Sequence, residues 1–260
     1  MMTDSVRTGR LNTDHIWCVI PVFNNKETVR GVALGCRSHL SNVLVVDDGS
    51  TDTNVASLLS DTGITVQTHR RNQGKGRAIL TGLEYVAARD GRFMITIDAD
   101  GQHYPEDLER FVPLLQTDDA LLIVGCRDMD AENVPESSRF GREVANYWLR
   151  VETGVSLGDC QSGFRAYPVR YLSQMRFKGS HYEFEAEVLA RAAWAGLDLR
   201  EIPIRVHYPP AEARVTSFRP LVDNLRISLM HTKLVGRKLL PVPHRRLVGA
   251  SERQSGTDKV

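Results

Sequence analysis

None of the cysteines in this chain stands in a C-x-x-C pair. The four that occur, Cys18, Cys36, Cys126 and Cys160, are scattered, which argues against a zinc site. Cys18 and Cys126 fall in apolar, strand-like runs, where free cysteine packs as a small hydrophobe. All four read as reduced thiols of a cytosolic protein. Long apolar runs are also missing. No stretch approaches the roughly 20 residues that a spanning helix requires. The opening from Met1 to Asp14 is polar, carries Arg7 and Arg10, and leads into no apolar h-region, so it does not read as a secretory signal. Charge of one sign is absent too: 33 basic against 32 acidic residues leave a net charge of +1. No global basic field invites nucleic acid, and attraction to anionic surfaces must be local. There is no internal repeat.

What is present is an ordinary globular composition, 42% apolar and 25% charged over 260 residues, enough for one large domain. Its front half alternates short apolar runs with helical stretches. Strands are expected at 16–23, 43–46, 64–67, 93–97 and 120–124. Helices are expected at 26–40, after 47–52, at 74–88 and from Pro105, a favoured early helix position. The valine-rich run at 43–46 has the look of a strand buried on both faces. Such alternation predicts an α/β fold with a mostly parallel sheet and helices on both faces. Residues 129–157 turn from polar to helical. Further strands are expected at 164–167 and 199–208, with a helix over 183–194 between them. Residues 218–240 are again helical, with Leu221, Val222, Leu225 and Leu229 among the apolar positions and Arg226, Lys233 and Arg237 among the basic ones. The expected organisation is a flexible tail over 1–14, a catalytic domain over 15–215, an amphipathic segment over 216–240 and a disordered tail over 241–260.

In open α/β sheets ligands gather outside the carboxyl ends of the strands, and the unusual residues fall there. Strand four ends in Asp98-Ala99-Asp100-Gly101-Gln102-His103. Alternate carboxylates can face one ion, and hard oxygen ligands suit Mg2+ or Mn2+. The bland reading of a bare D-x-D is a solvated turn with a helix cap. Gln102, His103 and Pro105 shift the balance towards metal. Strand two ends in Asp47-Asp48-Gly49-Ser50-Thr51-Asp52, where one carboxylate suits the donors of a base or ribose, or an Asx-turn leads into a helix capped by Ser50 or Asp52. Asn72-Gln73-Gly74-Lys75-Gly76 opens a helix. Its amides and Lys75 can face a diphosphate, but P-loop spacing is missing, and taken alone the loop reads first as a glycine turn with a solvated lysine. Asp159-Cys160-Gln161-Ser162-Gly163-Phe164-Arg165 is a polar cluster before a strand, or simply a hydrogen-bonded turn.

Taken together these segments resemble family 2 glycosyltransferases of GT-A fold, and among them polyprenyl- and dolichyl-phosphate sugar synthases. The matching pieces are I-P-V-F-N-N-K-E from Ile20, V-V-D-D-G-S-T-D from Val45, N-Q-G-K-G from Asn72, D-A-D-G-Q-H from Asp98, G-C-R from Gly125 and D-C-Q-S-G-F-R from Asp159. They run in the family's order over residues 16–208. The resemblance implies that Pro21, Phe23, Glu27 and Asp48 hold the nucleoside. It implies that Asp98, Asp100 and Gln102 surround a metal and the diphosphate. Arg127, Arg142 and Asn146 then receive an acceptor phosphate, with Arg139 a rival to Arg142, and Asp159 acts as base or orienter. A G-E-S-K-like segment of such synthases is replaced here by residues 210–218, where Arg214 stands in for a phosphate-binding lysine.

The expected reaction is an inverting displacement at the anomeric carbon of a GDP- or UDP-hexose. Lys75 or Arg214 and the metal would offset charge on the leaving diphosphate. A lipid-phosphate acceptor is already ionised and needs positioning by arginine forks. A hydroxyl acceptor of a glycolipid or polysaccharide needs a base, for which Asp159 is the candidate. A nucleotidyltransferase or a silent nucleotide-sugar binder is a third reading, disfavoured by the intact Asp98/Asp100 pair. The amphipathic segment is expected to hold the enzyme peripherally on the cytosolic face of a membrane, or to pack its apolar face on the domain.

Overall fold

The computed structural model describes residues 12–128, 134, 136–208, 218–240 and 243–248. Arg214 lies outside them, as does most of the segment expected to replace G-E-S-K. Strands β1 (Ile16–Val22), β2 (Asn42–Asp47), β3 (Thr65–Thr68), β4 (Phe93–Thr96), β5 (Leu121–Arg127), β6 (Arg165–Pro168) and β7 (Asp198–Ile204) form one sheet in the order β3-β2-β1-β4-β6-β5-β7. It is mostly parallel. The exception is β6, which runs antiparallel to both β4 and β5. This reversal brings the start of β6 to the same sheet edge as the ends of β4 and β5.

Period-two alternation sorts the side chains onto two faces. Cys18, Ile20, Val45 and Ile95 pack against helices α1 (Val29–His39), α2 (Val55–Leu58) and α4 (Leu108–Phe111). Val19, Leu44, Val46 and Met94 face α3 (Lys75–Ala87), α5 (Glu136–Thr153), α6 (Val169–Leu172) and α7 (Glu183–Ala195). Helix α8 (Pro220–Leu239) adds an outer layer, setting Met230 and Leu234 against Ala190 and Trp194 of α7. A buried hydrogen bond also ties it to α5, with His231 Nδ1 2.7 Å from Glu152 Oε1.

Several local expectations need correction. The helix anticipated directly from Pro105 begins as a 3-10 turn, Pro105–Asp107, and becomes α-helical only at Leu108. Helix α2 is capped by Asn54, whose side chain accepts the Ser57 amide, and not by Ser50 or Asp52. Those two staple loops together instead: Ser50 Oγ accepts the Asn24 amide, and Asp52 accepts the Lys26 amide. Within the tail expected to be disordered from residue 241, residues 243–248 lie against α7. Val248 is buried, His244 stacks on Trp194, and the amides of Leu247 and Val248 donate to the Ala195 carbonyl.

Candidate active site

The acidic turn after β4 is held from several sides. Asp98 Oδ1 lies 2.7 Å from Lys75 Nζ, which is also 2.7 Å from Glu185 Oε1. Gly163 must be glycine for this arrangement. A Cβ there would stand 2.5 Å from Asp98 Oδ2 and 2.8 Å from Lys75 Nζ. Burial alone would drive Lys75 towards neutrality, but Asp98 and Glu185 reverse this and raise its pKa. Burial penalises the Asp98 carboxylate, and Lys75 overcomes the penalty, so its pKa is lowered. Asp100 lacks such a partner. Burial and the neighbouring Asp98 charge push it up to about 6, although its Oδ1 accepts the Gln102 amide at 2.9 Å. His103 is buried beside them, is lowered to about 4 by burial, and carries an Nδ1 without a hydrogen-bond partner. It thus stays neutral at physiological pH.

Two carboxylates of opposed titration, one neutralised by lysine and one waiting for charge, suit a hard divalent cation that completes its shell with water and phosphate oxygens. No cluster of three or more His, Cys, Asp or Glu able to hold a metal occurs among the described residues, and Asp98 and Asp100 are the two carboxylates of this turn. Gln102 contributes backbone contacts: its amide to Asp100 and its carbonyl to the His207 amide at 2.7 Å.

The glycine loop before α3 has a structural explanation. Asp48 is buried; its carboxylate accepts the amides of Gln73 (2.9 Å) and Gly74 (2.7 Å) and contacts His69 Nδ1 at 2.7 Å. Asp47 accepts the Ser50 amide. Gly74 has φ of 101°, and added Cβ atoms at Gly74 and Gly76 would strike Ser180, His181 and Phe184. The glycines therefore let α3 approach the start of α7, which is how Lys75 reaches Glu185. Pro21 is buried, Phe23 is half-buried beyond the end of β1, and Glu27 is exposed beside Lys26.

On the other side, Arg127 at the end of β5 grips Asp159 in two-pronged fashion: Nε to Oδ2 at 2.6 Å and Nη2 to Oδ1 at 2.9 Å. Asp159 is fully buried. Glu201 accepts the amides of Gly158 and Asp159, and Asn146 bridges the Gly158 carbonyl and the Cys160 amide. Buried Arg165 donates to the carbonyls of Cys160, Ser162 and Glu185. The loop over 158–163 is thus fixed as a rigid wall. Arg142, on α5, keeps a buried Nε without a hydrogen-bond partner.

Sequence reasoning passed over Glu185, Tyr182, Glu201 and the steric role of Gly163. Glu185 sits inside an ordinary helical pattern, and only the fold brings it to Lys75. Tyr182 lies under Lys75, 5.8 Å from ring centroid to Nζ, and meets Phe218 edge-on. The Asp159–Gly163 cluster was visible, but its bonding to β5, β7 and α5 was not.

An α/β sheet of this order, with acidic turns at its carboxyl edge, defines the GT-A class of glycosyltransferase. Mannosyl-3-phosphoglycerate synthase of Rubrobacter xylanophilus shares the fold with a TM-score of 0.62 at 18% identity, over 91% of this chain and 79% of that one. The chain belongs to glycosyl transferase family 2, whose model matches residues 17–176. It is similar to UDP-N-acetylglucosamine–dolichyl-phosphate N-acetylglucosaminyltransferase of Methanococcus voltae, 26% identical over 74% of this chain and 86% of the relative. It is also similar to undecaprenyl-phosphate mannosyltransferase of Micrococcus luteus, 28% identical over 72% and 81%.

Proposed function

We propose that this glycosyltransferase moves a hexose from a GDP- or UDP-sugar to a polyprenyl phosphate, with inversion at the anomeric carbon. The observation that carries the acceptor assignment is the state of Asp159. Both its oxygens are engaged by Arg127, so it is poorly placed to take a proton from a hydroxyl. A phosphate acceptor needs no such base, because its oxygen is already ionised. The names of the relatives from Methanococcus voltae and Micrococcus luteus, both of which specify polyprenyl-type phosphates, support the same choice.

Asp98 and Asp100, with Gln102, would hold Mg2+ or Mn2+, which would supply positive charge against the leaving diphosphate. Lys75, poised between Asp98 and Glu185, adds a fixed cation on the donor side. Arg142, with its unsatisfied Nε, is the better remaining candidate for the acceptor phosphate, since the fork of Arg127 is occupied. Asn146 positions the wall through its two bonds. Glu27, Phe23 and Pro21 are assigned to the nucleoside, and Asp48 to shaping that pocket through the 72–74 loop. Arg214 is kept as a candidate phosphate ligand.

Access to a lipid acceptor comes from peripheral contact. No helix among the described residues is long and apolar enough to cross a membrane. Leu221, Leu225 and Leu229 on α8, together with Phe140 and Tyr147 on α5, are exposed apolar side chains, suited to lie in a bilayer interface. The deciding experiment offers the protein a panel of nucleotide-sugars with a divalent cation and either a polyprenyl phosphate or the matching free polyprenol. A glycosylated polyprenyl phosphate in the mass spectrum is expected. Transfer to the alcohol alone would overturn the acceptor assignment.

A further inference from the structure

Away from the acidic turn, α7, α8 and the segment 176–178 line an open cavity of about 320 Å³, within the range of small-ligand sites. Trp194, Met230 and Leu234 give it apolar walls. Arg176, Lys178, Arg191, Lys233 and Arg237 also line it. The single acidic group there, Glu187, is consumed internally: Oε2 accepts the amides of Lys178 and Gly179, and Oε1 contacts Arg191 Nε at 2.7 Å. Arg176, Lys178 and Lys233 form no ion pair among the described residues, and Arg191 pairs only with Glu187. Arg176, Lys178 and Lys233 thus give the lining an excess of positive charge, which an entering anion would offset. His244, stacked on Trp194, has its pKa lowered by burial and then by Arg237 and Arg191, so the histidine beside the cavity is held towards its neutral form and adds little to this charge.

The cavity has a direction. Leu221, Leu225, Leu229, Lys233 and Arg237 are spaced four apart on α8, each step turning about 40° round the axis, so this ridge winds round the helix. The leucines are exposed, and the ridge runs from them into the two cations of the cavity wall. A helix lying in a bilayer interface puts such leucines among the acyl chains, while lysine and arginine reach up to headgroup phosphates. We propose that this cavity binds the phosphate headgroup of an anionic membrane lipid, at a site separate from that of the acceptor. The proposal rests on the peripheral-membrane reading given above.

The test is flotation of the full chain with vesicles of phosphatidylcholine alone or mixed with phosphatidylglycerol. An Arg176→Gln/Lys233→Gln variant is compared with an Arg37→Gln/Arg89→Gln control, which removes equal charge elsewhere. The cavity variant is expected to lose roughly thirtyfold in affinity for the anionic vesicles, at about 1 kcal/mol per cation. The control should lose less than about threefold, the screened effect of remote charge. A cavity variant that matches wild type overturns the proposal, as does equal binding of wild type to both vesicle types. Saturable binding of inorganic phosphate, abolished in the cavity variant, without preference for anionic vesicles, assigns the cavity to a free anion and overturns the lipid. Wild type that ignores every vesicle overturns the membrane reading together with this one. Transfer to detergent-dispersed polyprenyl phosphate, expected at wild-type rate in both variants, tests the catalytic reading independently.

Discussion

Lys75 and Asp98 are joined by a 2.7 Å ion pair across the mouth of the sheet. One half of the acidic turn is therefore neutralised by the protein, and Asp100 carries the uncompensated charge. This division of labour makes the turn sensitive to pH.

For Asp100 the folded pKa of about 6 lies above the ordinary carboxylate value of about 4. Between those values the folded state binds more protons than the unfolded one, so stability falls as pH rises through the window. Above it the penalty is on the order of 2 kcal/mol, after allowance for partial exposure. Asp100→Asn should raise the melting temperature at about pH 8 without metal, and the gain should shrink as pH falls from about 6 towards 4. Thermal melts of both proteins across that range provide the check, and an unchanged or lower melting temperature at the alkaline end counts against it. The same substitution should cost roughly a hundredfold or more in transfer rate, and excess chelator should silence the wild type.

Gly163→Ala isolates geometry from charge. The new Cβ would sit against Asp98 and the Lys75 ammonium, both ends of side chains that can move. The fold should survive with a loss of about 1 kcal/mol, as for modest overpacking. Transfer should fall at least about tenfold, because displacing a catalytic group by about 1 Å carries large kinetic costs. Manganese titration by electron paramagnetic resonance should show weakened binding. Normal metal affinity and normal turnover would remove the Lys75–Asp98–Gly163 contact from the argument.

The sheet was legible because buried strands announce themselves: the run at 43–46 and its partners at 16–23 and 93–97 each lie within a residue or two of β2, β1 and β4. The acidic turn was legible because Asp98 and Asp100 occupy a strand end in a recognisable pattern. What the sequence hid was partnership. Asp48 reads as a free carboxylate until the 72–74 loop folds onto it. Arg127 and Asp159, 32 residues apart, read as two independent reagents until β5 meets the loop before β6. The antiparallel placement of β6 has no local signal, since strand direction is set by packing rather than by the alternation along one segment.

Arg127→Ala should be more damaging to stability than a solvated arginine would be. It leaves the fully buried Asp159 carboxylate without its forked partner, and breaking such a pair typically costs about 3 to 5 kcal/mol. Arg127→Ala combined with Asp159→Ala should recover part of that loss, giving a coupling energy of at least about 1 kcal/mol in denaturant melts. Additive losses would show that the pair is solvent-screened and that Arg127 is available to a substrate.

His231 and Glu152 pin α8 to α5. Glu152 is 1% exposed, His231 is 6% exposed, and the imidazole stacks on Trp148. The sequence offered α8 either as a membrane helix or as a helix packed on the domain, and the structure gives it both a buried and an exposed side. His231→Ala would leave the Glu152 carboxylate buried and unpaired, and would open a void beside Trp148. The expected cost is about 3 kcal/mol, concentrated on α8 because few other buried residues hold it: Asp223, Met230 and Leu234. Hydrogen exchange should therefore accelerate in the amides of α8 well before those of β1 and β4, at the centre of the sheet. His231→Gln keeps a hydrogen-bonding group and should recover part of the protection. If exchange rises equally in α8 and in the central strands, the helix unfolds with the domain as one unit, and the Glu152–His231 pair is not its local anchor.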